Sequence, residues 1–288
     1  MNKKKLYKLL SIFLIIFCFV CVVLLLYPVF YQYLSVKETT EQVVSYERFM
    51  ESVDDEKADR IINGAYDFNE KVYKTGVLFH DLSDEELNTY NNTLVLYEDV
   101  MGHIEIPSID VSAIIYHGSG DKVLEKGVGH IESTSLPVNG KSVHSFLLAH
   151  SGIPTNRLFT DLDKLKTGDI FYIKILNRKY TYKVVDISVK LPQEMEETRI
   201  IDNKNLVTLV TCTPYGVNTH RLLVTGELIK EDIKTDEITK VIPHTDNIIK
   251  YISNNINTEP AIVVVIIFFT IFIVYIIIQV CRKKRYKK

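Results

Sequence analysis

Residues Thr208 to Arg221 read "TLVTCTPYGVNTHR". The first five close an apolar, β-branched run that begins at Leu206, the composition of a strand packed on at least one face. "TPYGVN" then supplies Pro, Gly and Asn for a wide turn, and "HRLLVTGEL" resumes the β pattern. The pair predicts an antiparallel hairpin, which would bring Arg221 beside Cys212 at one edge of a β structure. Two readings of Cys212 stand at this point: a buried thiol behaving as a small apolar residue, or a nucleophile next to a guanidinium.

Outward from the hairpin, short β-rich runs separated by turn signals extend upstream to Met101. Strands are expected at 101–107, 111–117, 143–149, 170–176, 179–190, 206–212 and 220–228, with turns at "PSID", "HGSGD", "PVNGK", "SGIPTN" and "KTGD". Seven or eight such strands, with one short helix near "RLFTDLDKL", indicate a mainly β domain over 100–230, a single closed barrel or sandwich. From Val36 to Gly76 the apolar positions follow a mixed i, i+3, i+4 pattern, read as two amphipathic helices breaking near Ser52 to Asp55. That segment is too short for a core of its own and is expected to pack on the barrel. The stretch 77–86, "VLFHDLSDEE", is an acidic loop with a helix start after Ser83.

The chain ends differ in character from the middle. Residues 9–27 and 261–280 carry no charge, and each is long enough at 1.5 Å per residue to cross about 30 Å of hydrocarbon. Bulky residues in "LLLYPVFYQY" argue against cleavage of the first as a signal peptide. Both are expected to be transmembrane helices flanked by basic tails, 1–8 and 281–288. The positive-inside rule then places both termini in the cytoplasm and residues 28–260 outside, with 231–260 as a polar stalk.

All 36 Asp and Glu fall in the middle with 24 of the 34 Lys and Arg, a net charge near −12 that excludes a basic nucleic-acid surface. Cys18 and Cys21 lie in the first span and Cys281 at the edge of the second, so Cys212 is the only cysteine of the outer domain. An unpaired extracellular thiol is an oxidation liability, which makes its retention informative. No phosphate loop or ordered set of metal ligands appears, and no cofactor is expected.

A guanidinium near a thiol favours the thiolate and offers fork-like donors to an oxyanion, both suited to acyl transfer. Such chemistry also needs a proton carrier, normally histidine. All eight histidines, His80, His103, His117, His130, His144, His150, His220 and His244, lie in the outer segment. His220 adjoins Arg221 in a strand and should face the opposite side. His150 ends "SFLLAH" before the turn "SGIP", a strand-end position from which a side chain can reach a barrel rim.

At these residues the chain resembles the sortases. "TLVTCTPYGVNTHRLLVTG" is similar to their Thr-Leu-x-Thr-Cys signature with an essential Arg about nine residues on. "HSFLLAHSG" resembles the strand bearing their catalytic His, with Ala149 where Gly is usual; the likeness runs from about Met101 to Leu228. The resemblance implies a sortase-type barrel with Cys212 as nucleophile, His150 as acid and base partner, and Arg221 as the donor that orients the carbonyl and stabilises the oxyanion. It also implies the reaction: an LPXTG-type sorting signal is cleaved between Thr and Gly through a thioacyl enzyme, and the acyl group passes to an amine.

"TCTPYGVNTHRLLV", the second span and the preceding helices are most similar to class C, the pilin-polymerising sortases. For those the acceptor is a lysine of the next pilin subunit, and the product is a covalent pilus on a Gram-positive surface. Expected partners are therefore LPXTG-type pilins or surface proteins, an amine acceptor and the lipid bilayer. The alternative acceptor is a peptidoglycan precursor. Class C enzymes often carry an Asp-Pro-aromatic lid; here "LFHDLSDEE" offers Phe79 or His80 as the covering group and Asp81 as the lid acid, with Leu82 in place of Pro. An ordinary acidic loop is the competing reading of that stretch.

Overall fold

The computed structural model describes residues 41–46, 48–50, 52–96, 99–151, 158–195 and 197–233, with scattered positions between Ile12 and Lys37 and with Phe272. Lys37–Ile242 form one compact unit, and Met1–Val36 with Pro243–Lys288 form another. In the second, described positions from Ile12 to Leu34 are helical, and large apolar side chains such as Phe13, Phe19 and Leu24 are exposed. Among the described residues no helix is long and apolar enough to cross a membrane; the spans expected at 9–27 and 261–280 fall largely outside those residues.

Eight strands close a barrel: β1 (Val100–Ile106), β2 (Val111–His117), β3 (Val128–His130), β4 (Val143–Leu148), β5 (Ile170–Ile175), β6 (Arg178–Lys190), β7 (Asn205–Thr213) and β8 (His220–Ile233). Their order around the barrel is β1-β2-β3-β4-β7-β8-β6-β5. The β2/β3 and β4/β7 pairs are parallel and the remaining pairs antiparallel. Each of the seven strands expected from the sequence is present, and β3 is the addition. At three residues, "VGH", it is too short to show a period, and its pairing with β2 and β4 defines it.

Inward residues of every strand meet in one core, including Ile104, Ile115, Leu147, Ile173, Val207 and Val224. Gly226 belongs to this packing. A Cβ there would clash with the Phe171 ring, which stacks on Tyr182 at 5.2 Å, so only glycine leaves room for the pair.

Four helices follow from local signals: α1 (Asp55–Thr75), α2 (Asp84–Asn91), α3 (Asp121–Leu124) and α4 (Pro192–Met195). The side chain of Asp54 caps α1, and Ala58, Ile62, Ala65 and Phe68 form the stripe it buries in the barrel core. Asn69 on the same face bonds both the N–H and the carbonyl of Leu136, pinning the helix to the β3–β4 connection. Ahead of it, residues 41–46 and 48–50 are helical, and Val43 and Tyr46 pack on Val100, Ile114 and Tyr116. The expected break falls at Ser52 to Asp54, and the helix expected near "RLFTDLDKL" is a single 3₁₀ turn at Leu162–Lys164.

Four barrel histidines are buried, and three of them, His103, His130 and His144, are held neutral. Burial pushes His103 and His144 down to about 4 and His130 to about 3 from the usual 6.5. Their hydrogen bonds fit neutral rings: Nε2–H of His130 donates to the Ser135 carbonyl while Nδ1 accepts from Tyr90, and in His144 Nδ1–H donates to the Arg199 carbonyl while Nε2 accepts from Thr208. In the unfolded chain these rings take up protons below pH 6.5, and in the folded chain only near pH 4. Their contribution to stability is therefore complete above 6.5 and falls on acidification, by on the order of 1 kcal/mol per pH unit for each ring. Urea midpoints should drop steadily between pH 7 and pH 5; a flat profile over that range would contradict the burial of these rings as bases.

Candidate active site

Strand register brings the three candidate residues into one row. Cys212 and Arg221 are direct partners across the antiparallel β7/β8 pair, where the hairpin reading set them. The β4/β7 pair runs in parallel register as far as Leu148 and Val210. Two bonds carry it on: the Ala149 N–H donates to the Val210 carbonyl, and the Thr211 hydroxyl donates to the Ala149 carbonyl at 2.8 Å. His150 therefore reaches the row of Cys212, and His150, Cys212 and Arg221 stand on three adjacent chains roughly 5 Å apart.

Alternation along the strands decides which way they face. Leu147, Ala149, Leu209 and Leu222 belong to the interior core, whereas Phe146, Val210 and Leu223 form a separate cluster on the outer surface, with Leu148 packed against it. Cys212 lies two residues beyond Val210, His150 two beyond Leu148, and Arg221 two before Leu223. All three share the outer face. His220 falls on the opposite side, its Nδ1 engaged with the Thr219 hydroxyl.

The β7–β8 turn supplies the rest of the setting. Val217 and Asn218 donate their N–H groups to the Pro214 carbonyl, and Gly216 and Asn218 have φ of 74° and 60°, the left-handed region that Gly and Asn tolerate. One guanidinium nitrogen of Arg221 donates to the carbonyls of Asn218 and His220, both at 3.2 Å. The planar fork is thereby oriented by backbone, and its remaining N–H groups are left for another acceptor. Cys212 is a half-buried free thiol. The arrangement sets a nucleophile, a proton carrier and an oriented cation in one row beside the outer apolar cluster, the set that acyl transfer requires.

The stretch 77–86 lies on this same face. Leu78 is buried in the outer cluster, and Phe79, with φ of 57°, sets its ring edge-on against Phe146 at 4.7 Å. Phe146 is the register partner of Thr208, four residues before Cys212, so Phe79 covers the outer cluster on the strand that carries the thiol's row. His80 is turned toward Glu86 at 3.8 Å, and Asp81 is exposed with no ion pair among the described residues. Beyond Ser83, whose side chain and Glu86 form a reciprocal cap, α2 begins as the sequence indicated. Behind the segment a cavity of about 410 Å³ opens between α1, α2 and the loop after β3, lined by Phe68, Val72, His80, Leu82, Glu86 and Glu132. Leu78, the deepest residue of the stretch, drew no attention in the sequence, where an isolated Leu beside Phe carries no period.

Met195 at the end of α4 and Ile200 also pack on the outer cluster. Among the described residues no group of three or more His, Cys, Asp or Glu is placed to hold a metal ion.

Residues 104–229 match the Sortase domain family. Among solved structures, sortase C1 from Streptococcus agalactiae is 41% identical, aligning 67% of this chain with 100% of that one at a TM-score of 0.64. Sortase C2 of Group B Streptococcus pilus island 1 is 43% identical over 62% of this chain and 100% of that one, with a TM-score of 0.55. A curated relative, Sortase A of Bacillus anthracis, is 26% identical over 231 residues, 80% of this chain and 97% of its own length.

Proposed function

The chain belongs to the sortase family, and from that premise we propose that it is a membrane-anchored class C transpeptidase that builds covalent pili. Its spans at 9–27 and 261–280 would hold the barrel outside the cell with both termini in the cytoplasm. The observation that carries the reading is the row His150, Cys212, Arg221 on one outer face. The class C assignment is supported by the solved relatives, which are sortases C1 and C2, one of them from a pilus island.

The row fits the reaction that the sortase resemblance implies. The Cys212 thiolate attacks the Thr carbonyl of an LPXTG-type signal, forming a C–S bond and an oxyanion that Arg221 receives. Collapse of that intermediate breaks the Thr–Gly bond as His150 protonates the departing amine, leaving a thioester. A lysine amine of another pilin subunit then attacks, losing its proton to His150, and the acyl group leaves sulfur as an isopeptide.

The 77–82 segment would act as a cover that must lift for the signal to enter. Burial of Leu78 holds it by about 2 kcal/mol and the half-buried Phe79 adds less, a cost that substrate binding can offset. Cells making the full-length chain with a pilin that carries an LPXTG-type signal should show a ladder of multimers that survives boiling in detergent. The ladder should vanish when the acceptor lysine is replaced by arginine. Monomers fixed to the cell wall without a ladder would instead make peptidoglycan the acceptor.

A further inference from the structure

The row of functional residues has a fourth member. Lys190, the last residue of β6, is the register partner of Arg221, so the order across adjacent chains is His150, Cys212, Arg221, Lys190. Ser188, two residues before it, pairs with Leu223 of the outer cluster, which puts Lys190 on the outer face too. The side chain is half-buried, and its ammonium makes no ion pair among the described residues. Glu194, four residues on, accepts the Leu191 N–H at 2.8 Å. Asp186, two rows further down β6, is exposed.

His144, on the same face of β4, is held neutral first by burial, opposed by its bond to the Arg199 carbonyl, and then by the positive charge of Lys190. Two cations without an acidic partner among the described residues thus stand side by side in a domain whose net charge is near −12. Such a local reversal of sign attracts an anion.

The chemistry of the row sets which part of the substrate meets it. His150 protonates the leaving amine, so the departing Gly side of the signal lies toward β4. The acyl side must then run the other way, past Arg221, and Lys190 is about 10 Å from Cys212, two strand spacings. We infer that Lys190 reads a carboxylate on the acyl side of the sorting signal, making it a specificity-determining residue for signals that carry an acidic side chain. The inference rests on the sortase reading.

The test uses full-length protein in detergent and end-blocked LPXTG-type peptides. Glu is placed, one position at a time, at the variable residue and at each of the two residues before Leu; a neutral peptide and a Lys-bearing set serve as references. At least one Glu peptide should show about fivefold higher kcat/KM than the neutral one, carried in KM, the size expected of a half-exposed ion pair. Lys190→Met should bring that ratio to about one, and Lys190→Glu should shift it toward the Lys-bearing peptide. Equal rates for every Glu position, or a preference that persists in Lys190→Met, would overturn the assignment. Failure to cleave any peptide would overturn the sortase reading itself, and this inference with it.

Discussion

Cys212→Ala protein is expected to cleave LPXTG-type peptides at least about 10³-fold more slowly than the parent chain, down to background. The loss follows from the nature of the step. In the proposed reaction sulfur forms the bond that replaces the peptide bond, and alanine has nothing to offer in its place. Between residues 22 and 280 the sequence holds no other cysteine. The barrel should survive the change, because Cys212 is half-buried at the end of β7 and lies outside the three clusters that pack the domain. An unchanged thermal midpoint, no acyl adduct by mass spectrometry and no cleavage are therefore expected together. Turnover by the alanine protein within tenfold of the parent would remove the thioester from the mechanism.

Legibility differed from part to part for physical reasons. The hairpin at Thr208 to Arg221 was readable because everything that forms it is local: a β-branched run, a turn with Pro, Gly and Asn, and a second run of matching length. The partner of Arg221 could thus be named from sequence and is seen in the register. The same locality exposed the start of α2 after Ser83, since a capping box lies within four residues. The helical stripe of α1, Ala58 to Phe68, followed from its period.

What escaped depended on pairing between distant segments. β3 has three residues and exists because β2 and β4 flank it. The parallel partnership of β4 with β7 crosses 62 residues, and that contact carries His150 to the row of Cys212. Family resemblance pointed to His150, whereas strand-end position alone left it one candidate among several. Lys190 gave no signal either. It is the last letter of an expected strand, and its place beside Arg221 arises from the β6/β8 register, which bulges between Val184 and Asp186. Within 77–86 the resemblance drew attention to Phe79, His80 and Asp81; the structure seats Leu78 and Phe79 on the outer cluster and leaves Asp81 exposed.

Arg221→Lys is expected to lower kcat about 10²- to 10³-fold while leaving KM within about threefold. The charge is retained, so any role that needs only a cation near the thiol would survive. The fork is lost. In the parent chain one guanidinium nitrogen is tied to the carbonyls of Asn218 and His220 at 3.2 Å, which fixes the plane and aims the other N–H groups. A lysine ammonium that made the same two bonds would have one N–H left and no rigid plane to direct it. In the proposed mechanism its loss therefore falls on the oxyanion, which the ground state lacks, and the penalty belongs in kcat. Removing one such donor typically costs about 3 to 4 kcal/mol, which sets the range given. If Arg221→Lys kept more than about a third of parental kcat, a positive charge alone would suffice and the oriented fork would have no catalytic role. If the loss fell entirely in KM, Arg221 would be holding the ground-state peptide, and the oxyanion would need a different donor.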